Sequence, residues 1–460
     1  SNAEEYMLGG RSLSPSVAAL SAGASDMSGW LLLGLPGALF VSGLSQSWIG
    51  IGLVVGAWLN WLIVAPRLRQ QTEEYDNSLT IPGFLGNRFP SQAVLLRIVS
   101  AVVIVVFFSV YTASGLVGGG KLFASAFGGD YMTGVLVTLG VVLVYTVMGG
   151  FLAVSLTDFV QGCIMMLALV IMPIVILTTQ GGAGVEQATE RLTAVDPEYL
   201  SMFKGVTLLG WLSAVAWGLG YFGQPHILVR FMAIRTSGEI RRATHIAMTW
   251  VVLSLAAAVA VGMVGRVYLT EPLTGTASET VFLVMTNELF PPIAAGLILS
   301  AVLAAIMSTA SSQLLVAASA FAQDFYRTLI HKDAEQSELV WISRASVLVI
   351  ASLAIFLGFN PNSFILDMVS YAWAGFGAAF GPAILMSLFW KRTTRNGVIA
   401  GIIVGGVTVL VWKQFALFGL YEIVPGFLLS LLAIYGISLL GEPPAQDIQE
   451  TFDAVGKSRI

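Results

Sequence analysis

A helix that crosses a bilayer needs about 20 consecutive, mostly apolar residues. Segments of that kind recur along this chain with only short polar gaps between them. Hydropathy places twelve, at 14–42, 46–66, 95–128, 131–149, 153–179, 205–231, 243–269, 284–325, 338–357, 364–389, 396–416 and 420–441. Charged residues make up 10% of the chain and hydrophobic residues 56%, whereas a soluble domain carries about 25% charged. A soluble core cannot hide so much apolar surface. The chain therefore reads as an all-α polytopic membrane protein in a lipid bilayer. Segment 284–325 is too long for one straight span, and Pro291-Pro292 marks off its first part as a candidate surface helix.

Cytoplasmic loops are enriched in Lys and Arg. With the first residue placed in the cytoplasm, the inner side receives 17 of the 22 basic residues and the outer side 5. Arg11, Arg230 and Arg459 count among the inner set, Lys121 and Arg266 among the outer. Both termini are then expected in the cytoplasm. The outer loop 180–204 is polar, a short helix is expected after Pro82, and the tail from Gly441 reads as polar and mobile.

Several function classes find no support. The single Cys163 lies in an apolar segment and forms no intrachain disulfide. His226, His245 and His331 lack metal-ligand spacing and fall near the inner surface. Gly118-Gly-Gly-Lys121 lacks the phosphate-binding spacing of a P-loop. Neither an enzyme constellation nor a nucleic-acid-binding pattern stands out, and no obligate protein partner is evident.

The informative residues are those that break the hydrophobic pattern, because polar groups inside a span are costly. In Leu20-Ser-Ala-Gly-Ala-Ser-Asp-Met-Ser-Gly-Trp30, Asp26 sits among serines and glycines that hold a helix poorly. Backbone carbonyls freed at membrane depth must be satisfied by protein or by a cavity's contents. A cation with a polar solute would do so; a helix–helix contact of small residues is the plain alternative. A second break lies in Trp217-Gly-Leu-Gly-Tyr-Phe-Gly-Gln-Pro225-His226, where three glycines and a proline interrupt span six. A proline kink with interfacial aromatics is the alternative there. Breaks in spans one and six are what two inverted five-span repeats around a midplane site would produce.

A third candidate is Ala304 to Gln313 in span eight, whose hydroxyls Ser308, Thr309, Ser311 and Ser312 are spaced to share helix faces. Hard cations take oxygen ligands, although interhelical hydrogen bonding explains such runs equally well. Asp158, after Thr157, reads either as functional or as an N-cap of span five. Asp367 reads as a cap, Arg230 as an inner-side anchor, and Tyr111 as cavity-facing or simply packed. The run Tyr371 to Pro382 reads as tight packing with a kink.

At these breaks the sequence resembles the sodium/solute symporter family. The resemblance rests on Leu8-Gly-Gly-Arg-Ser-Leu13, Ala19 to Trp30, Trp217 to His226 with Arg230-Phe-Met-Ala233, Met307-Ser-Thr309 and Tyr371 to Pro382. It continues into Gly419-Leu-Tyr-Glu-Ile-Val-Pro-Gly426. It implies a LeuT-like core of two inverted five-helix repeats at 14–390, two peripheral helices at 391–441 and a cytoplasmic tail at 442–460. It also implies sodium-coupled import of L-proline by alternating access through a bacterial cytoplasmic membrane. Pantothenate, a sugar or another amino acid is the alternative cargo. The implied sodium ligands are Ala24, Met27, Ala305, Ser308 and Thr309, with Asp26 and Asp158 in support. Proline would contact Ser28, Gly29, Trp30, Tyr111, Trp217, Tyr221, Gln224 and Pro225. Family members of this type carry a helix before the Leu-Gly-Gly-Arg motif. Here Ser1-Asn2-Ala3 stands in its place, as the scar of a cleaved tag at the head of segment 1–13, so the expectation is that the helix was removed.

Overall fold

The structure is a computed structural model that describes residues 2–90, 93–179 and 184–457. Ser1, Arg459 and the first residues of the 180–204 loop lie outside the described residues. A short helix, α1 (Ala3–Leu8), precedes a bent pair, α2 (Pro15–Asp26) and α3 (Trp30–Ser42). Next come α4 (Leu44–Glu74), the short α5 (Ile81–Asn87) and α6 (Ala93–Ala126). They are followed by α7 (Tyr131–Thr179), α8 (Gly184–Val195), α9 (Leu208–Gly223), α10 (Pro225–Ala233) and α11 (Ile240–Tyr268). The chain ends with α12 (Val281–Leu289), α13 (Pro292–Ile330), α14 (Gln336–Leu357), α15 (Ile365–Phe389), α16 (Arg395–Phe415), α17 (Ile423–Leu440) and α18 (Gln446–Lys457).

Among the described residues, nine helices are long and apolar enough to cross a membrane, and ten if α2 and α3 form one bent span. The other two expected spans, 131–149 and 205–231, contain the shorter apolar helices Tyr131–Val144 and Leu208–Gly223. Among the described residues, length and composition therefore support nine or ten crossings and do not by themselves give twelve. At 1.5 Å per residue, α7 would run about 74 Å, more than twice a bilayer's hydrocarbon thickness. Its helical path is interrupted at Gly150, whose φ of 66° and ψ of −167° suit glycine alone. The Tyr6 ring presses on that residue, 2.9 Å from where a Cβ would stand.

Local signals explain most boundaries. Ser14 caps α2 through the Val17 N–H and Pro15 occupies its first turn. Pro291 caps α13, and Val281–Leu289 is a separate helix as expected, although Val281, Phe282, Leu283 and Met285 bury one side of it. Asp367 does not cap α15. Glu279 does so from a distant loop, accepting from Ile365 N at 2.7 Å and Leu366 N at 3.0 Å while Lys121 pairs with it at 2.9 Å. Sequence proximity pointed to the wrong carboxylate.

Within the bundle α15 is central: 83% of its apolar stretch is buried, against 33% for α17. The N-terminal segment is part of the packed interior. Tyr6, Met7 and Leu8 are buried, and Leu13 bridges Ile234 beyond α10. Arg11 lies in the protein, donating to Met232 O at 2.6 Å and Ser78 O at 2.7 Å. The expected mobile tail is also a helix. Ile448, Phe452 and Val455 recur at helical spacing; Ile448 and Val455 are buried, and Arg88 stacks 4.6 Å from the Phe452 ring. Lys391 Nζ and Asp453 Oδ2 pair at 2.6 Å beside it.

Candidate functional site

The first break opens between Asp26 and Trp30, where α2 and α3 diverge by 61°. Met27, at φ −89° and ψ 86°, has left the helical conformation. In a regular helix the Ala24 carbonyl would accept from the Ser28 N–H. Here Ser28 N turns to Asp26 O, 3.1 Å away. The released Ala24 oxygen instead accepts from Ser308 Oγ at 2.6 Å and from Thr309 Oγ1 at 3.3 Å. Ser308 Oγ also lies 3.1 Å from Ala305 O. Four of the five oxygen donors anticipated for sodium thus meet between α2 and α13, and Met27 borders them at the point where the helix ends. Gly29 permits the approach, since a Cβ there would stand 3.3 Å from Ile306 Cγ1.

Asp26 is fully buried beside this cluster. Tyr221 donates its hydroxyl to Asp26 Oδ2 at 2.7 Å, and Oδ1 has no partner. The backbone oxygen of Asp26 accepts from Tyr111 at 3.0 Å and from the Trp30 indole at 3.4 Å. Tyr111, Tyr221 and Trp30 therefore converge on one residue from three different helices. Among the described residues no cation pairs with the Asp26 carboxylate. A buried carboxylate without a counter-charge is costly.

The second break runs through the tight turn Ala216–Gly223 to Gln224, which is extended, and Pro225 then opens α10. Its glycines are contact points. A Cβ on Gly220 would stand 1.9 Å from Trp373 Nε1, and one on Gly218 2.3 Å from Gly52 O. The break is thereby clamped between α4 and α15. Trp217 lies 6.1 Å from Trp30 and 5.5 Å from Tyr421, measured between rings, and its carbonyl accepts from Trp373 Nε1 at 2.7 Å. Tyr221 meets Trp373 edge-on at 4.9 Å. Gln224 Nε2 donates to Gly220 O and Trp373 O, leaving Oε1 without a partner. A cavity of about 330 Å³, lined by Trp48, Leu366, Ser370 and Tyr421, descends onto Trp217. Pro225 lies apart from the aromatic group, beside Met7, Ile81 and Ile104. Ser28 remains local to its break, accepting from Trp30 N at 3.4 Å.

Trp373 and Tyr421 were not singled out as site residues from the sequence. Aromatics in apolar segments carry no mark of which cavity they face, although the glycine-rich run around Trp373 did signal close packing.

Asp158 lies within the continuous second part of α7, so it is not an N-cap. Its Oδ2 is 3.0 Å from Arg230 Nη2 and accepts from Ser21 and Ser312 at 3.1 Å each. Arg230 is no surface anchor. It is fully buried, donates to Ser21 Oγ at 2.9 Å and Ser312 Oγ at 2.7 Å, and lies 4.8 Å from the Phe151 ring. His226 is likewise internal, between Phe108 and Tyr111.

The family model of the sodium:solute symporter family matches residues 6–405. The chain belongs to that family. It is 53% identical over 455 residues to the high-affinity proline transporter PutP of Bacillus subtilis, covering 98% of this chain and 96% of that one. It is 51% identical over 456 residues to the sodium/proline symporter of Escherichia coli, covering 98% and 90%. The structure of a Na⁺-coupled sialic acid symporter in a substrate-bound outward-open state superposes with a TM-score of 0.81 at 18% identity, covering 97% of this chain and 94% of that one. That likeness carries the fold: a multi-pass helical membrane protein with the LeuT-like core of a symporter in this family. Its named relatives are transporters and not enzymes.

Proposed function

We propose that this symporter imports L-proline together with sodium by alternating access in the cytoplasmic membrane of a bacterium. The proline and sodium assignments draw on relatives at 53% and 51% identity across nearly the whole chain. The observation that carries the ion site is the Ala24 carbonyl, released by the break in α2 and met by Ser308 and Thr309. Sodium would lie among Ala24 O, Met27 O, Ala305 O, Ser308 Oγ and Thr309 Oγ1, with the hydroxyl protons rotated away and their lone pairs turned inward. Asp26 would bring its carboxylate beside these neutral oxygens. Asp158 supports the site at one remove, through Ser21 of α2 and Ser312 of α13.

Proline would sit on the outer side of the same break. Trp30, Trp217 and Tyr221 offer faces to its ring, with Ser28 and Gly29 beneath and Tyr111 and Gln224 at the sides. The coupling route is short. Tyr221 belongs to the solute wall, and its hydroxyl is held by Asp26 of the ion site. Sodium that draws on Asp26 resets Tyr221, and proline that settles on Tyr221 resets Asp26. Each cargo then raises affinity for the other by the same factor. On this reading the cavity onto Trp217 would open to the outside, while Arg11 ties the opposite end to Met232 O and Ser78 O.

Orientation follows from the basic residues. Removing the buried Arg11, Arg69, Arg88 and Arg230 from the inner 17, and the buried Lys121 from the outer 5, leaves 13 against 4. Both termini are placed in the cytoplasm, so a negative interior drives sodium inward with about 2.3 kcal/mol per charge per 100 mV.

Uptake of radiolabelled proline by proteoliposomes tests this reading. Uptake should require an inward sodium gradient and should fall at least about a hundredfold in Ser308→Ala/Thr309→Ala, because two of five ligands are lost, at about 1.4 kcal/mol per tenfold. Undiminished uptake in that variant would sink the ion-site assignment. A panel of pantothenate, sugars and other amino acids as competitors tests the cargo.

A further inference from the structure

A cavity of about 960 Å³ opens where α4 leaves the bilayer, between that helix, the end of α15 and the turn after α10. Its walls change character with depth. Leu62 and Ile63 of α4 and Phe389 at the end of α15 are apolar and 52%, 40% and 42% exposed. Just beyond them stands Arg67, whose guanidinium lies 4.5 Å from the Phe389 ring centroid. That stacking covers one face of the guanidinium and fixes its orientation. Arg67 Nε is buried without a hydrogen-bond partner, and among the described residues no carboxylate pairs with this side chain.

The other charges of the cavity are largely spoken for. Arg69 pairs with Glu73 at 3.0 Å and donates to Ile234 O at 2.7 Å. Arg235 pairs with Glu239 at 2.7 Å. Glu74 also lines the wall. Arg241 and Arg242, both exposed, open α11 just beyond the turn. Three guanidiniums, of Arg67, Arg69 and Arg235, thus line the cavity with two carboxylates, of Glu73 and Glu74. A free, oriented guanidinium at the foot of a lipid-facing apolar wall matches one class of ligand better than any other: an anionic headgroup attached to acyl chains. Basic pockets between helices at the cytoplasmic surface are where such headgroups bind. A free phosphate would use the guanidinium but not the wall.

We propose that this cavity holds an anionic phospholipid of the cytoplasmic leaflet, its phosphate on Arg67 and its chains along Leu62 and Ile63. Nothing in the ion or solute site enters this assignment; it rests only on the orientation given above. A lipid held here would bridge α4, the turn after α10 and α15, and α4 and α15 clamp the second break.

Native mass spectrometry of the detergent-purified full chain tests the site without reference to orientation or transport. The probes are phosphatidylglycerol and phosphatidylcholine with identical acyl chains, supplied in equal amounts. The wild-type protein should retain one phosphatidylglycerol with about fivefold preference, the effect of about one extra basic contact at the headgroup. Arg67→Gln should bring the two lipids to parity, Arg67→Lys should retain part of the preference, and Arg327→Gln, at a different cavity, should leave it intact. Equal retention by the wild type, or an unchanged preference in Arg67→Gln, would overturn the proposal. Displacement of the lipid by millimolar inorganic phosphate would also overturn it, by revealing a simple anion site.

Discussion

Asp26 and Asp158 are both fully buried carboxylates within membrane helices, yet their surroundings differ. Asp158 is closed. A guanidinium and two hydroxyls reach its Oδ2 within 3.1 Å, and these groups come from α10, α2 and α13. Asp26 is open. One phenol reaches its Oδ2 at 2.7 Å, and among the described residues no cation does; Oδ1 lacks a partner in both carboxylates, so the difference lies in the guanidinium. Both sites answer the same problem, since a charge taken out of water must be compensated. At Asp158 the protein supplies the cation from its own chain and so joins four helices. At Asp26 no cation is supplied by the described residues, and on the proposed function the compensation would come from the cargo. A transporter needs both kinds of site: one that holds the bundle whatever is bound, and one whose energy depends on occupancy.

The contrast can be broken most severely at Arg230. Arg230→Ala strands a buried carboxylate, and loss of one partner of such a pair costs about 3–5 kcal/mol. Thermal unfolding in detergent should show a large drop, and Asp158→Asn with Arg230→Met should recover most of it. A single variant as stable as the wild type would show that the pair does not hold the bundle. Asp26→Asn should do the reverse. It keeps an acceptor for Tyr221, so stability should change by less than about 1 kcal/mol, while half-saturation by sodium rises about tenfold in uptake assays. Equal damage to stability would erase the distinction between the two carboxylates. The smallest effect is expected for Tyr221→Phe, which removes one hydrogen bond worth about 1 kcal/mol. Half-saturation should rise about fivefold for sodium and for proline together. A change confined to one cargo would refute the coupling route through Asp26.

Much of the site was legible in the chain because its causes are local. Glycines and serines around Asp26, and glycines with Pro225, weaken a helix wherever they occur, and both breaks stand where those residues predicted. The recurrence of hydroxyls three and four apart, as at Ser308, Ser311 and Ser312, likewise reads directly as a shared helix surface. The amphipathic spacing of Ile448, Phe452 and Val455 was equally present, but the polar composition around it led to a mobile tail, where the structure has a packed helix. Other errors have a common origin. Arg230 was assigned to the surface because hydropathy measures distance from a span along the chain. Its partner Asp158 lies 72 residues away. Asp367 was preferred to Glu279 as the cap of α15 for the same reason: adjacency was taken for contact.

The sequence by itself determined that this is a many-spanning membrane protein with two interrupted helices, and its motifs determined the family. Those properties follow from lipid exclusion of polar backbone and from local helix propensity, which act residue by residue. Tertiary structure alone decided which carboxylate was closed and which stayed open. It also placed Trp373 and Tyr421 beside Trp217 and left Arg67 without a counter-charge among the described residues. Electrostatic compensation and aromatic contact depend on separation in space, and the fold brings together groups from helices far apart in the chain.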